Sequence, residues 1–131
     1  MKRNIFINVE DPLEIHEDER GLIVDIFYKY KIDHVAYIFT KKGRIRGNHY
    51  HKDTTQYTLI LKGKVEYWEK KLSSTKTKKT VCKKGDIILS KPNVIHAFKY
   101  LKDSNMIVFT VGPRGGKNYE DDTFRVNSII N

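Results

Sequence analysis

The chain has 131 residues, 39% of them hydrophobic and 11% aromatic, enough for one hydrophobic core, and the expectation is a single domain over 1–131 with its core at about 18–125. Its formal charge of +9 is mostly lysine, and the lysine-rich stretch 70–84 (KKLSSTKTKKTVCKK) lacks the interleaved aromatics on which single-strand binders stack bases, which argues against nucleic acid. No apolar run reaches the roughly 18 residues of a membrane span, acidic residues interrupt the N-terminus before any signal-like apolar region, and a single cysteine, Cys82, excludes an intrachain disulfide or a thiolate zinc cage, so a cytoplasmic protein without a membrane partner is expected.

In chain order, strands are read at 4–9 (NIFINV), 21–28 (GLIVDIFY), 34–40 (HVAYIFT), 56–71 (QYTLILKGKVEYWEKK), 79–90 (KTVCKKGDIILS), 94–101 (VIHAFKYL) and 106–112 (MIVFTVG). Each run is short, rich in β-branched and aromatic residues, and bounded by Gly, Asp, Asn, Pro or Lys. No window sustains helical periodicity, so any helix is one short turn near the C-terminus. The pattern is all-β, a sandwich or closed barrel, in which closure or dimerisation protects the strand edges. The first strand has no hairpin partner nearby, which suggests a homodimer through sheet edges. Gly63 and Gly85 stand where tight turns need positive φ.

Within RGNHYHKDTTQ (46–56), His49 and His51 point the same way on an extended strand while Tyr50 points to the other face. Two imidazoles in one interior suit acid–base chemistry near neutral pH or a metal. On the metal reading His49, His51, Gln56 and His96 supply three nitrogens and one oxygen. Gln56 weighs against it, because a neutral amide stands where an anionic ligand would offset cation charge. No cofactor is therefore favoured, with a divalent metal as the alternative. His16 and His34 are isolated and assigned to the surface or loop edges, Trp68 to packing, Asp18 and Arg20 to a structural pair at a strand start, and Cys82 to a small buried apolar position.

The spacing of Gly43, His49, His51, Gln56 and Gly63 resembles the first motif of the cupin family, with Gln56 where a glutamate is typical. Gly85 through SKPNVIH to His96 resembles the second, with Lys91 and Asn93 at the offsets of its proline and glycine. Two branches are closer still. DERGLIVDIF (18–27) and RGNHYH (46–51) resemble the 3,5-epimerases of dTDP-4-keto deoxysugars, where an arginine precedes the base histidine by three positions, as Arg46 precedes His49. VAYIFTKKGRIRGNHYHKDTTQ (35–56) and the tail YEDDTFR (119–125) resemble the sugar 3,4-ketoisomerases, although Ile95 replaces their tryptophan before the histidine.

The resemblance implies a cupin-type antiparallel double-sheet β-barrel (jelly roll) that isomerises or epimerises a nucleotide-linked 4-keto-6-deoxysugar in polysaccharide precursor synthesis. The alternatives are a metal-dependent small cupin (an oxygenase, or a lyase or isomerase of sugar acids) and a non-catalytic sugar-binding cupin. A 4-keto group acidifies neighbouring C–H bonds, so the reaction needs a base of pKa near working pH, a donor for the enolate and a group to return the proton. The expected roles are His49 as base, His51 as its partner and Tyr37 as proton donor, with Arg44, Arg46, Gln56 and His96 binding substrate.

Overall fold

A computed structural model describes residues 6–7, 14–113 and 117–131. The elements in order are β1 (Phe6–Ile7), β2 (Glu14–Asp18), β3 (Gly21–Asp25), β4 (His34–Thr40), β5 (Ile45–Tyr50), β6 (Thr55–Lys62), β7 (Lys64–Lys71), β8 (Lys78–Lys83), β9 (Ile87–Ser90), β10 (Val94–Tyr100), β11 (Ser104–Val111), α1 (Lys117–Asp121) and β12 (Phe124–Arg125). One sheet runs β1-β9-β6-β11-β4, the facing sheet β12-β5-β10-β7-β8, and β2-β3 is a separate hairpin. This is the expected all-β double-sheet barrel of cupin type.

Alternation decides which side chains go inside. Along β6, Gln56, Thr58 and Ile60 are buried, and along β11, Ser104, Met106, Val108 and Thr110 are buried. One end of the interior is filled by Ile60, Val65, Tyr67, Cys82, Ile88, Phe98, Tyr100 and Met106, each large apolar group contributing about 1.5–3 kcal/mol by leaving water. The other end carries the polar residues of the site. A second apolar cluster, Trp68, Ile95, Ala97 and Ile129, lies where the C-terminal segment covers the β7–β10 ladder. Trp68 and Cys82 are thus packing residues, as expected.

The run read as one strand over 56–71 is two, β6 and β7, and they belong to different sheets. Gly63, at φ +110, makes the corner, and a Cβ there would run into the Ser104 side chain and the Asp103 carbonyl. The strands β2 and β12 escaped the periodicity reading, and β5 was read only as the extended stretch that carries His49. The first expected strand is described only at Phe6–Ile7, the rest of 4–9 lying outside the described residues, and it does have a partner: it pairs in parallel with β9, Phe6 opposite Ile87. The strand therefore covers the edge of β9 and itself ends the sheet. No helix of the described residues is long and apolar enough to cross a membrane.

Candidate active site

The site begins with a break in register. In the β5–β10 ladder Phe98 faces Arg46, Ala97 faces Gly47 and His96 faces His49, so Asn48 is an extra residue that bulges out. Strict alternation would send Arg46 and His49, three apart, to opposite faces; the bulge returns both to the interior. The two residues between them suit this bend. Gly47 has φ +96, and a Cβ would sit 2.7 Å from the His96 carbonyl oxygen. Asn48 has φ +57, a conformation asparagine tolerates, and it accepts N–H bonds from Val126 (2.9 Å, on its backbone oxygen) and Ile129 (3.0 Å, on Oδ1).

Three imidazoles meet inside. Ring centroids lie 4.9 Å apart for His49 and His51, 4.8 Å for His49 and His96, and 5.4 Å for His51 and His96. His51 and His96 are buried and His49 is half-buried. His49 and His96 line a cavity of about 320 Å³ with Arg46, Gln56, Tyr119 and Arg125, over an apolar floor that includes Ile38, Met106 and Val108. Gln56 donates from Nε2 to Thr58 Oγ1 (3.3 Å). Arg46 Nε donates to Thr40 Oγ1 (2.7 Å) and Nη2 to the Phe39 carbonyl (3.4 Å).

The chain's C-terminal segment completes the site. β12 pairs with β5 so that Arg125 faces His49, and α1 brings Tyr119 to 6.4 Å from the His49 ring and 5.9 Å from the His51 ring. Arg125 makes a two-pronged ion pair with Glu120 (2.9 and 3.0 Å), and that bond holds the Glu120 carboxyl below its ordinary range. Asp122 fixes the geometry twice. Its backbone carbonyl lies 2.8 Å from His51 Nδ1; a carbonyl only accepts, so Nδ1 carries the proton and a neutral ring has its lone pair at Nε2. Its buried carboxylate accepts from the backbone N–H of Lys52 (2.9 Å) and Asp53 (3.1 Å) and from the Thr54 hydroxyl (2.8 Å). Burial raises the Asp122 pKa, but these three bonds and the nearby His51 outweigh it and bring it below its ordinary value.

His49, His51, Gln56 and His96 are therefore brought together, with Arg46 on the same cavity. Two expected residues are not. Tyr37 is 63% exposed on the outer face of β4, because its neighbours Ile38 and Ala36 take the inward positions; the proton-donor role assigned to it is corrected. Arg44 is exposed and lines a neighbouring groove with Phe39 and Lys41 rather than the histidine cavity. Sequence reasoning missed Tyr119, Asp122 and Arg125 as individuals. The only signal was the segment YEDDTFR, and nothing local tells that it folds back onto β5.

Chemically, the cavity offers imidazoles that can act as bases, a phenol, and two guanidinium groups with forked donors. A nitrogen from each of His49, His51 and His96 lies within 4.8 Å of the others, a spacing that suits one metal ion. No carboxylate is among the described residues lining the cavity, and Arg46 and Arg125 line it, so its charge suits an anion better than a divalent cation.

Residues 16–124 match the family model described as polysaccharide biosynthesis C-terminal domain. Three solved structures illustrate the likeness in fold. The dTDP-4-dehydrorhamnose 3,5-epimerase of Sulfolobus tokodaii is 20% identical, with 83% of this chain matching 70% of that one at a TM-score of 0.66. QdtA, a sugar 3,4-ketoisomerase of Thermoanaerobacterium thermosaccharolyticum in complex with TDP, is 20% identical, with 89% of this chain matching 86% of that one at 0.70. The capsular polysaccharide assembling protein CapF of Staphylococcus aureus is 19% identical over 89% of this chain but only 35% of its own, at 0.68. No curated protein matches the chain in sequence.

Proposed function

The chain belongs to the polysaccharide biosynthesis C-terminal domain family, and from that premise we propose that it isomerises or epimerises a nucleotide-linked 4-keto-6-deoxysugar in polysaccharide precursor synthesis. The observation that carries this is the convergence of His49, His96, Arg46, Arg125 and Tyr119 on one cavity. It combines a base for the proton beside the ketone with cationic donors for the enolate and the diphosphate. The fold shared with a 3,4-ketoisomerase and a 3,5-epimerase supports the same reading.

In the proposed mechanism His49, which lines the cavity, removes the proton next to the carbonyl. His51 sits behind it with its tautomer set by Asp122, and receives or returns the second proton through Nε2. Arg46 and Gln56 hold the sugar oxygens on which the enolate charge develops. Arg125, on β12 beside His49, serves the diphosphate. Tyr119 takes the proton-donor place first given to Tyr37.

Incubation with a panel of 4-keto nucleotide sugars in deuterated water, followed by NMR, tests the proposal: solvent deuterium is expected at the carbon beside the ketone, together with a rearranged sugar. No exchange with any member of the panel would leave the sugar-binding reading. The reaction is proposed to need no metal, for the electrostatic reason given above. Exchange that disappears on chelation and returns with one divalent ion would instead assign His49, His51, Gln56 and His96 as ligands.

The working form is proposed to be a cytoplasmic homodimer. One sheet ends in β4, whose outer face exposes Val35, Tyr37 and Phe39; a second copy would cover both that edge and the patch. Sedimentation at micromolar concentration should give twice the 15.4 kDa chain mass.

A further inference from the structure

The lysines of 70–84 do not disperse evenly over the surface. Lys70 and Lys71 from the end of β7, Lys76 from the turn into β8, Lys78 from the start of β8, and Lys91 from the turn after β9 line a cleft of about 380 Å³. This cleft shares no lining residue with the histidine cavity. Lys79, in the same stretch, differs: it has Glu66 at 3.8 Å and lies over the Trp68 ring. Among the described residues lining the cleft the one carboxylate is Glu69, half-buried and opposite Lys78 in the β7–β8 ladder.

Five lysines against one carboxylate give the lining of this cleft a surplus of positive charge, which an anion of two or more charges would offset. Lysine heads act as point charges on flexible stems, which suits the tetrahedral oxygens of phosphate and does not select the planar fork of a carboxylate. Leu89 and Val94 give the cleft an apolar wall, so a ligand with a non-polar portion beside its phosphates fits best. We propose that this cleft is a second anion site, separate from the histidine cavity, for a phosphate-bearing ligand: a free di- or triphosphate compound, or the headgroup of an anionic lipid.

The test uses inorganic pyrophosphate as the probe and the full chain in low salt, observed by amide NMR. Shifts centred on residues 70–78 and 91 are expected, with an affinity that weakens as salt is added. The double variant Lys76→Gln/Lys91→Gln, changed at two exposed positions, should bind pyrophosphate about tenfold more weakly and keep the wild-type exchange rate at the histidine cavity. Vesicles of phosphatidylcholine with phosphatidylglycerol separate the sources. Co-sedimentation that pyrophosphate competes away identifies a lipid headgroup, and pyrophosphate binding without vesicle binding identifies a free phosphate compound. Pyrophosphate shifts confined to the surroundings of Arg46 and Arg125, or undiminished binding in the double variant, would overturn the proposal.

Discussion

Two clusters among the described residues each bring three metal-capable side chains within 4.8 Å: His49, His51 and His96 inside the barrel, and Glu14, His16 and Asp25 on the β2–β3 hairpin. They differ in everything except proximity. On the hairpin all three residues are exposed, and His16 pairs with Glu14 at 3.1 Å with more than half of each side chain open to water, where such a contact is screened. Inside, two of the three rings are buried and His51 is fixed by a hydrogen bond to a backbone carbonyl 71 residues away. Closeness does not make a site; enforced orientation away from bulk water does.

The sharpest way to break this comparison is to change one histidine in each cluster. His49→Asn keeps the approximate size but has no useful base, so proton exchange should fall by about 10²- to 10⁴-fold, while His16→Asn should leave the exchange rate unchanged. Equal losses in the two variants, measured by deuterium uptake, would show that the buried cluster has no special role.

Gly47→Ala tests whether the bulge orients the interior cluster. It places a Cβ against the His96 carbonyl at a positive φ, with an expected cost of roughly 1–3 kcal/mol in urea denaturation from the backbone conformation alone. Exchange should fall more steeply than stability, because Arg46 and His49 lose their common face. A variant of wild-type stability and activity would remove the bulge from the account.

Asp122→Asn probes the anchor and gives it a pH signature. Loss of the charged acceptor should cost about 1–2 kcal/mol. The folded-state pKa of Asp122 lies below the ordinary 3.8, so its contribution is complete above about pH 4–5 and is lost as pH falls through the lower, folded value. The stability difference between wild type and variant should therefore shrink on acidification below pH ~4; a constant difference would show that the charge is not what stabilises. The smallest expected effect is on the hairpin, where His16→Asn should change stability by no more than about 0.5 kcal/mol.

The fold was legible because it rests on local signals. The strand at 34–40 coincides with β4, and alternation along β6 and β11 sorts inner from outer side chains. The pair His49 and His51 was legible for the same reason. Arg46 was placed in the cavity by resemblance alone, since plain alternation argues against it; only the Gly47–Asn48 bulge reconciles the two. Tyr37 failed because it sits on an edge strand whose outer face is apolar in composition, so its pattern gives no indication of which face is inside. Tyr119, Asp122 and Arg125 were hidden because their partners lie about 70 residues earlier, a separation that no periodicity encodes.

That separation also sets a timetable. The bonds from Asp122 to the 52–54 loop and from Ile129 to Asn48 span 68 to 81 residues, and on a growing chain they can form only once residues 122–129 have been made. A nascent chain with most of its barrel already paired would still lack Tyr119 and Arg125, so it would be folded in bulk yet catalytically silent. The chain's one tryptophan, Trp68, packs in the same cluster as Ile129, and its emission should record the moment at which the silent barrel becomes an enzyme.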